Sequence, residues 1–189
     1  MKYAKFNDDG TLAYIATDVP GLDTAGMVKV ADDADANNLF LYDDGTAGPR
    51  VVLDVMCSRT AIVNDGVDKA VIYGLQNGTI LMINGARTRA TGSTYEVTAT
   101  KEGIIGIDVA GAHSGEHLTL RVTTAEVLMD EVRALRDALL AECDWTQMPD
   151  APVSDEKKEA WRNYRTALRN ITADQPKATP DTVVWPTKP

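Results

Sequence analysis

Ala61-Ile62-Val63-Asn64-Asp65-Gly66-Val67-Asp68-Lys69-Ala70-Val71-Ile72-Tyr73 places an apolar run, an Asn-Asp-Gly turn signal and a second β-rich run in immediate succession. Asn, Asp and Gly accept the backbone angles of tight turns, while β-branched and aromatic side chains suit a half-buried pleated surface. The stretch therefore predicts two short strands and the turn between them. The same texture extends in both directions, through runs at Val51–Cys57, Ile80–Asn84, Tyr95–Ala99, Ile104–Val109 and Leu118–Val122. Asn77-Gly78, Asn84-Gly85, Gly92-Ser93, Glu102-Gly103 and Ser114-Gly115 punctuate these runs. About seven short strands spaced in this way predict an all-β sandwich over residues 50–123.

Upstream, Tyr3-Ala4-Lys5-Phe6 and Thr11-Leu12-Ala13-Tyr14-Ile15 flank Asn7-Asp8-Asp9-Gly10, which reads as a β-hairpin around an Asp-Gly turn. Short strands are also expected near Met27–Val30 and Leu39–Tyr42, the latter ahead of a turn at Asp43-Asp44-Gly45. Residues 1–49 thus form a small N-terminal β unit. Downstream the period changes. Leu128, Val132, Leu135 and Leu139 recur at helical spacing, and Ser154 followed by Asp155 and Glu156 is an N-cap with a favourably charged first turn. The second helix is expected to bury Ala160, Trp161, Tyr164, Ala167, Leu168 and Ile171. Pro149 and Pro152 separate the two, giving a helical hairpin over residues 124–175. Residues 176–189 hold four prolines and read as an extended arm whose large apolar side chains are Val183, Val184 and Trp185. The fold class is multi-domain β plus α.

A net charge of −9 and a pI near 4.7 oppose attraction to nucleic acid or to an anionic membrane surface. No run approaches the roughly 18 apolar residues of a membrane span, and MKYAKFNDDG has no secretory h-region, so the chain is expected to be made in a cytoplasm. Cys57 and Cys143 form no CxxC pair and are expected to be reduced, buried thiols, with a disulfide within one chain or between copies as the alternative. His113 and His117 flank Ser114-Gly115, read as a hairpin turn, so they are expected to face solvent rather than hold zinc. Neither lies by a nucleophile elbow, and no enzyme or cofactor is expected. Asp32, Asp33, Asp35, Asp43 and Asp44 lack the order of a calcium loop and read as solvated turns.

Two resemblances add to this reading. Asn64-Asp65-Gly66-Val67-Asp68-Lys69-Ala70, and Tyr95-Glu96-Val97-Thr98-Ala99 followed by Glu102-Gly103-Ile104-Ile105, resemble bacterial immunoglobulin-like modules. More specifically, Arg136-Asp137, Leu139-Leu140 and Cys143-Asp144-Trp145-Thr146-Gln147-Met148-Pro149-Asp150-Ala151-Pro152 resemble the phage tail assembly chaperone family. The similarity continues through Trp161, Tyr164-Arg165, Leu168-Arg169 and Ile171 to Val184-Trp185-Pro186. The departures, Met148 and Val153 where leucine is more usual, are apolar replacements of similar volume.

The resemblance implies a bacteriophage protein, made in the host cytoplasm, that binds other tail or fibre proteins. Trp145, Trp161, Tyr164, Arg165 and Trp185 are the expected partner-binding residues. The first expectation is a non-catalytic docking component of the virion's tail, baseplate or tail-fibre apparatus. The alternatives are an assembly chaperone absent from the mature virion, and a host-surface carbohydrate binder acting through the sandwich. The Leu128 to Leu139 seam would also suit a trimer, although packing on the second helix explains the same spacing. Trp185 is expected either to anchor a partner or to pack back on its own helices.

Overall fold

A computed structural model describes residues 1–8, 11–42 and 45–189; the Asp9-Gly10 and Asp43-Asp44 portions of the two expected turns lie outside the described residues. The chain is mostly β with a C-terminal two-helix unit, and its sheets are open. Contacts divide it into two compact units. One comprises Met1–Thr60, Lys69–Thr98 and Ile104–Arg121, and the other Ala61–Asp68, Ala99–Gly103 and Val122–Pro189.

The first unit opens with the expected hairpin. β1 (Lys2–Phe6) pairs antiparallel with β2 (Leu12–Thr17), with an irregularity at Lys5/Phe6, and β3 (Val28–Val30) adds to the other edge of β1. Ala4, fully buried at the centre of this sheet, is small enough to lie beneath its neighbours. β4 (Phe40–Leu41) and β5 (Ala47–Gly48) form a second short hairpin. Of the acidic cluster, Asp32 meets the N-terminal ammonium and Asp35 caps a 3₁₀ turn at Ala36–Asn38 by accepting from the Asn37 N–H.

The expected single strand Val51–Cys57 is two. β6 (Val51–Val52) pairs in parallel with β14 (His113–Ser114), whereas β7 (Met56–Cys57) pairs antiparallel with β9 (Lys69–Tyr73). Leu53 and Val55 turn inward between them, so the segment leaves one pairing before it enters the next. Gly74 follows β9 at φ +79°, and a Cβ there would lie 1.9 Å from the Asp54 carbonyl oxygen, so this close backbone approach needs glycine. Ser114-Gly115 is accordingly not a hairpin turn: Ser114 belongs to β14.

β12 (Tyr95–Thr98) completes a sheet of order β12-β9-β7, and β10 (Ile80–Ile83), β11 (Ala86–Arg89), β13 (Gly103–Ala110) and β15 (Leu118–Thr123) are ordered β11-β10-β13-β15. Alternation of side chains buries Ala70 and Ile72 in β9 and Ile105, Ile107 and Val109 in β13, with Leu81 and Leu120 beside them in the core. β11 was not expected. Its sequence Ala-Arg-Thr-Arg carries no apolar alternation because it is an edge strand and mostly exposed.

In the second unit, β8 (Ala61–Val63) runs beside the end of β15, and the Asn64 N–H donates to the Thr123 carbonyl. The Asn-Asp-Gly turn follows as expected. Backbone amides of Asp68 and Val67 donate to Asp65, which holds that carboxyl below its ordinary value. Then come α1 (Ala125–Glu142) and α2 (Asp155–Asp174). Thr124 caps α1 by accepting from Val127, and Ser154 caps α2 as expected by accepting from Lys157. α1 buries Leu128, Met129 and Val132, while Leu135 is 46% exposed. Leu128 and Val132 of the expected seam are thus buried and Leu139 is half-buried against the core, while Leu135 is exposed and Met129 joins the buried face. On α2, Trp161, Tyr164, Arg165, Leu168 and Ile171 are buried, Ala160 is half-buried and Ala167 is exposed. No helix among the described residues is long and apolar enough to cross a membrane.

Candidate functional site

The site is built where α1 ends. A helix leaves its last carbonyls without intrahelical donors, and the buried end of α1 must find them elsewhere. Cys143 closes the helix: its N–H donates to Leu140, and its thiol lies 3.2 Å from the Leu139 oxygen and 3.3 Å from that of Leu140. Arg165 reaches across from α2. Its Nη1 donates to the Leu140 carbonyl at 2.8 Å and to Cys143 Sγ at 3.1 Å, and its Nη2 meets Asp144 Oδ1 at 2.7 Å.

Arg165 is only 7% exposed. Burial alone disfavours its charge, but the hydrogen bonds to Cys143 and Asp144 outweigh that cost and leave its pKa raised. A cation at the C-terminal end of α1 also complements the helix dipole. Next to it, Tyr164 is raised mainly by burial, and secondarily by Cys143.

Asp144–Gln147 then forms a 3₁₀ turn. The buried Thr146 hydroxyl donates to the Cys143 carbonyl at 2.7 Å and accepts from Gln147 Nε2 at 2.8 Å. The turn therefore has fixed contacts beneath it, and it presents Trp145 outward. That ring meets Trp161 edge-on at 6.3 Å between centroids, and Trp161 in turn meets Tyr164 at 5.7 Å. Trp145 remains 46% exposed and Met148, whose N–H closes the same turn onto the Trp145 carbonyl, is 58% exposed.

Trp185 packs with Leu139 and Leu140 against the buried cluster of Cys143, Trp161, Tyr164 and Leu168. The arm that carries it is tied down. The Gln175 side chain donates to the Val184 carbonyl and accepts from its N–H, at 2.8 and 2.9 Å. Asp181 accepts from the Ala61 N–H at 3.3 Å, and Lys188 pairs with Glu142 at 3.1 Å.

The five residues singled out from the sequence are thus brought together, in different roles. Trp161, Tyr164 and Arg165 lie in the interior, Trp185 is half-buried over them, and Trp145 is presented to solvent. The sequence reading passed over the underpinning by Thr146 and the exposure of Met148. It also placed His113 in solvent, whereas the ring is buried, 6.2 Å from the Tyr42 ring with Nε2 3.3 Å from Gln76 Oε1, because β14 carries it into the first unit. His117 is exposed and pairs with Asp108 at 2.6 Å. Cys143 is buried and Cys57 half-buried, both as free thiols. Among the described residues no group of three or more His, Cys, Asp or Glu could hold a metal ion.

Residues 129–189 match the model of a family described as phage tail assembly chaperone protein. The matched region begins within α1 and includes the Arg165 cap, the Trp145 turn and the Trp185 arm. This supports a phage tail assembly chaperone domain in the C-terminal third and a tail-related role involving other phage tail proteins. No curated protein and no solved structure matches the chain.

Proposed function

We propose that the chain is a non-catalytic assembly factor for a bacteriophage tail, and that it holds other tail proteins through the Trp145–Met148 turn. The observation that carries this is Trp145: a large aromatic, 46% exposed, on a turn held by Thr146 beneath and by the Asp144–Arg165 pair at its start. Interface energy concentrates in such rings, and a turn already fixed in the free protein loses little entropy on binding. The family match favours this assembly reading over permanent residence in the virion tail, baseplate or fibre, the role first expected from the sequence. Buried Arg165, Tyr164 and Cys143 serve by shaping the turn, and the half-buried Trp185 serves as a strap.

Mass spectrometry of purified particles tests the first part. Absence from the particle agrees with an assembly role, and recovery in stoichiometric amounts with the other tail proteins overturns it. We also read the β12-β9-β7 and β11-β10-β13-β15 sheets as an immunoglobulin-like arrangement, on the support of their strand order and the alternate burial along β9 and β13. An experimental structure of the full chain tests that reading.

A further inference from the structure

The sheets that contain β9 and β13 end in the edge strands β7, β12, β8 and β11, and all but β12 are blocked against further pairing. β7 spans only Met56–Cys57. On β8 the N–H groups of Ala61 and Val63 donate to the carboxylates of Asp181 and Asp68. β11 carries Arg87 and Arg89, and Arg87 donates to the Asp8 carbonyl at 2.8 Å, which ties the N-terminal hairpin to it. Short length, covering groups and charged side chains are the usual protections of a sheet edge. β12 differs: Tyr95-Glu96-Val97-Thr98 is rich in β-forming residues, holds no proline, pairs on one side with β9, and has its single charge matched by Lys69 at 2.6 Å.

The direction of the free backbone groups of β12 follows from β9. Val71 turns toward β7, where its carbonyl accepts from the Ser58 N–H and its own N–H donates to Ser58 Oγ, both at 2.8 Å. Backbone groups alternate sides along a strand, so Ala70 and Ile72 face β12, opposite Val97 and Tyr95. The N–H and C=O groups of Glu96 and Thr98 therefore point outward, and among the described residues they meet no partner. The side chains alternate as well. Val97 is buried and the Tyr95 hydroxyl reaches Thr88 Oγ1 of β11 at 3.3 Å, while Glu96 and Thr98 are exposed. Beside this edge a cleft of about 330 Å³ has Ile83, Tyr95, Val97 and Ile105 in its lining.

An outward row of backbone donors and acceptors is complementary to an extended strand, and the β12 sequence is complementary to itself. We propose that β12 is a self-association edge, through which two copies of the chain join antiparallel about a two-fold axis at Val97. Glu96 of each copy then exchanges both backbone hydrogen bonds with Thr98 of the other, and the two Val97 side chains meet with Cβ atoms about 4.5–5.5 Å apart. Tyr95 falls beside the small Ala99 of the second copy, so the apolar row is continuous across the axis and covers both clefts. An axis at Glu96 would instead set two carboxylates directly opposite each other, which disfavours that register. The proposal is independent of what the helical unit binds.

Sedimentation of the full chain across about 5–500 µM should show a monomer–dimer equilibrium with a dissociation constant on the order of 100 µM, weak because the contact is one short edge. Thr98→Pro removes an outward N–H that β9 does not use. It should raise that constant about tenfold or more while circular dichroism and the melting temperature stay close to those of the parent chain. Two further substitutions test the register without disturbing the backbone. Thr98→Glu, directly opposite Glu96 of the second copy, should weaken the dimer about threefold or more, and Thr98→Lys should strengthen it. A chain that stays monomeric throughout the range overturns the proposal. So do a dimer that a folded Thr98→Pro variant leaves unchanged, and Thr98→Glu and Thr98→Lys variants that leave the constant unmoved or shift it in the same direction.

Discussion

Arg165 Nη1 of α2 donates to the Leu140 carbonyl at the end of α1, 2.8 Å away, so a side chain of the second helix terminates the first. The two helices are joined by a polar cap buried in their shared core as well as by apolar packing. Replacing Arg165 with Met should destabilise the helical unit by about 2–4 kcal/mol, because the Leu140 carbonyl and the Cys143 thiol lose a buried donor. Asp144→Ala, which removes an exposed partner, should cost under about 1 kcal/mol. Urea unfolding followed by tryptophan fluorescence distinguishes the two, and equal effects would contradict the cap.

Trp145→Ala should separate binding from stability. About half of the ring already faces solvent, so the unfolding midpoint should change little, while affinity for tail proteins in a pull-down should fall about tenfold or more. Unchanged binding would remove this turn from the interface.

Trp185→Ala should behave in the opposite way. The ring packs on Trp161, Tyr164 and Leu168, and Gln175 holds its arm through Val184, so the loss should appear as about 1.5–3 kcal/mol of stability in the helical unit. Deletion of residues 176–189 should have at least the same effect. A stable deletion variant that has lost partner binding would instead make the arm a docking segment.

Stability should also fall in alkali through Tyr164. Burial raises its hydroxyl above the ordinary value near 10, so the folded state holds the proton more tightly than the unfolded chain. That contribution is fully present below about pH 10 and is lost as pH rises through the raised folded value. Tyr164→Phe should therefore flatten the decline measured by denaturation from about pH 9 to pH 11, and a parallel decline in the variant would assign it to other groups.

Gly74→Ala tests the close approach in the first unit. The new methyl would overlap the Asp54 carbonyl oxygen at a positive φ, and the expected cost is about 2 kcal/mol or more, read from the thermal unfolding of the β-rich unit. Gly85→Ala, also at positive φ but with no atom within 4 Å of the added methyl, carries only the backbone strain and should cost less.

Much of this architecture was legible in local pattern. β8 and β9 fall on Ala61–Val63 and Lys69–Tyr73, the residues read as strands, because alternating β-branched side chains and an Asn-Asp-Gly turn specify extended backbone without help from distant contacts. Ser154 capped α2 for the same reason: the donor it satisfies lies three residues away. The Cys143–Pro152 and Trp161–Ile171 patterns were sufficient to point to the family matched by residues 129–189.

What the sequence concealed depended on partners far along the chain. Arg165 follows Trp161 by four residues and precedes Leu168 by three, so helical spacing places it on the buried face; the expected role in partner binding gives way to an internal one because Leu140, Cys143 and Asp144 receive its charge within the fold. β14 and the burial of His113 required Val51 and Val52 as parallel neighbours, and β11 required β10. Local sequence determined which segments became strands, turns and helices, since those choices rest on neighbouring residues. Tertiary structure alone decided which polar groups could be buried and which tryptophan, Trp145, remained at the surface, because burial of a charge or hydrogen-bonding group requires a partner that only the folded chain supplies.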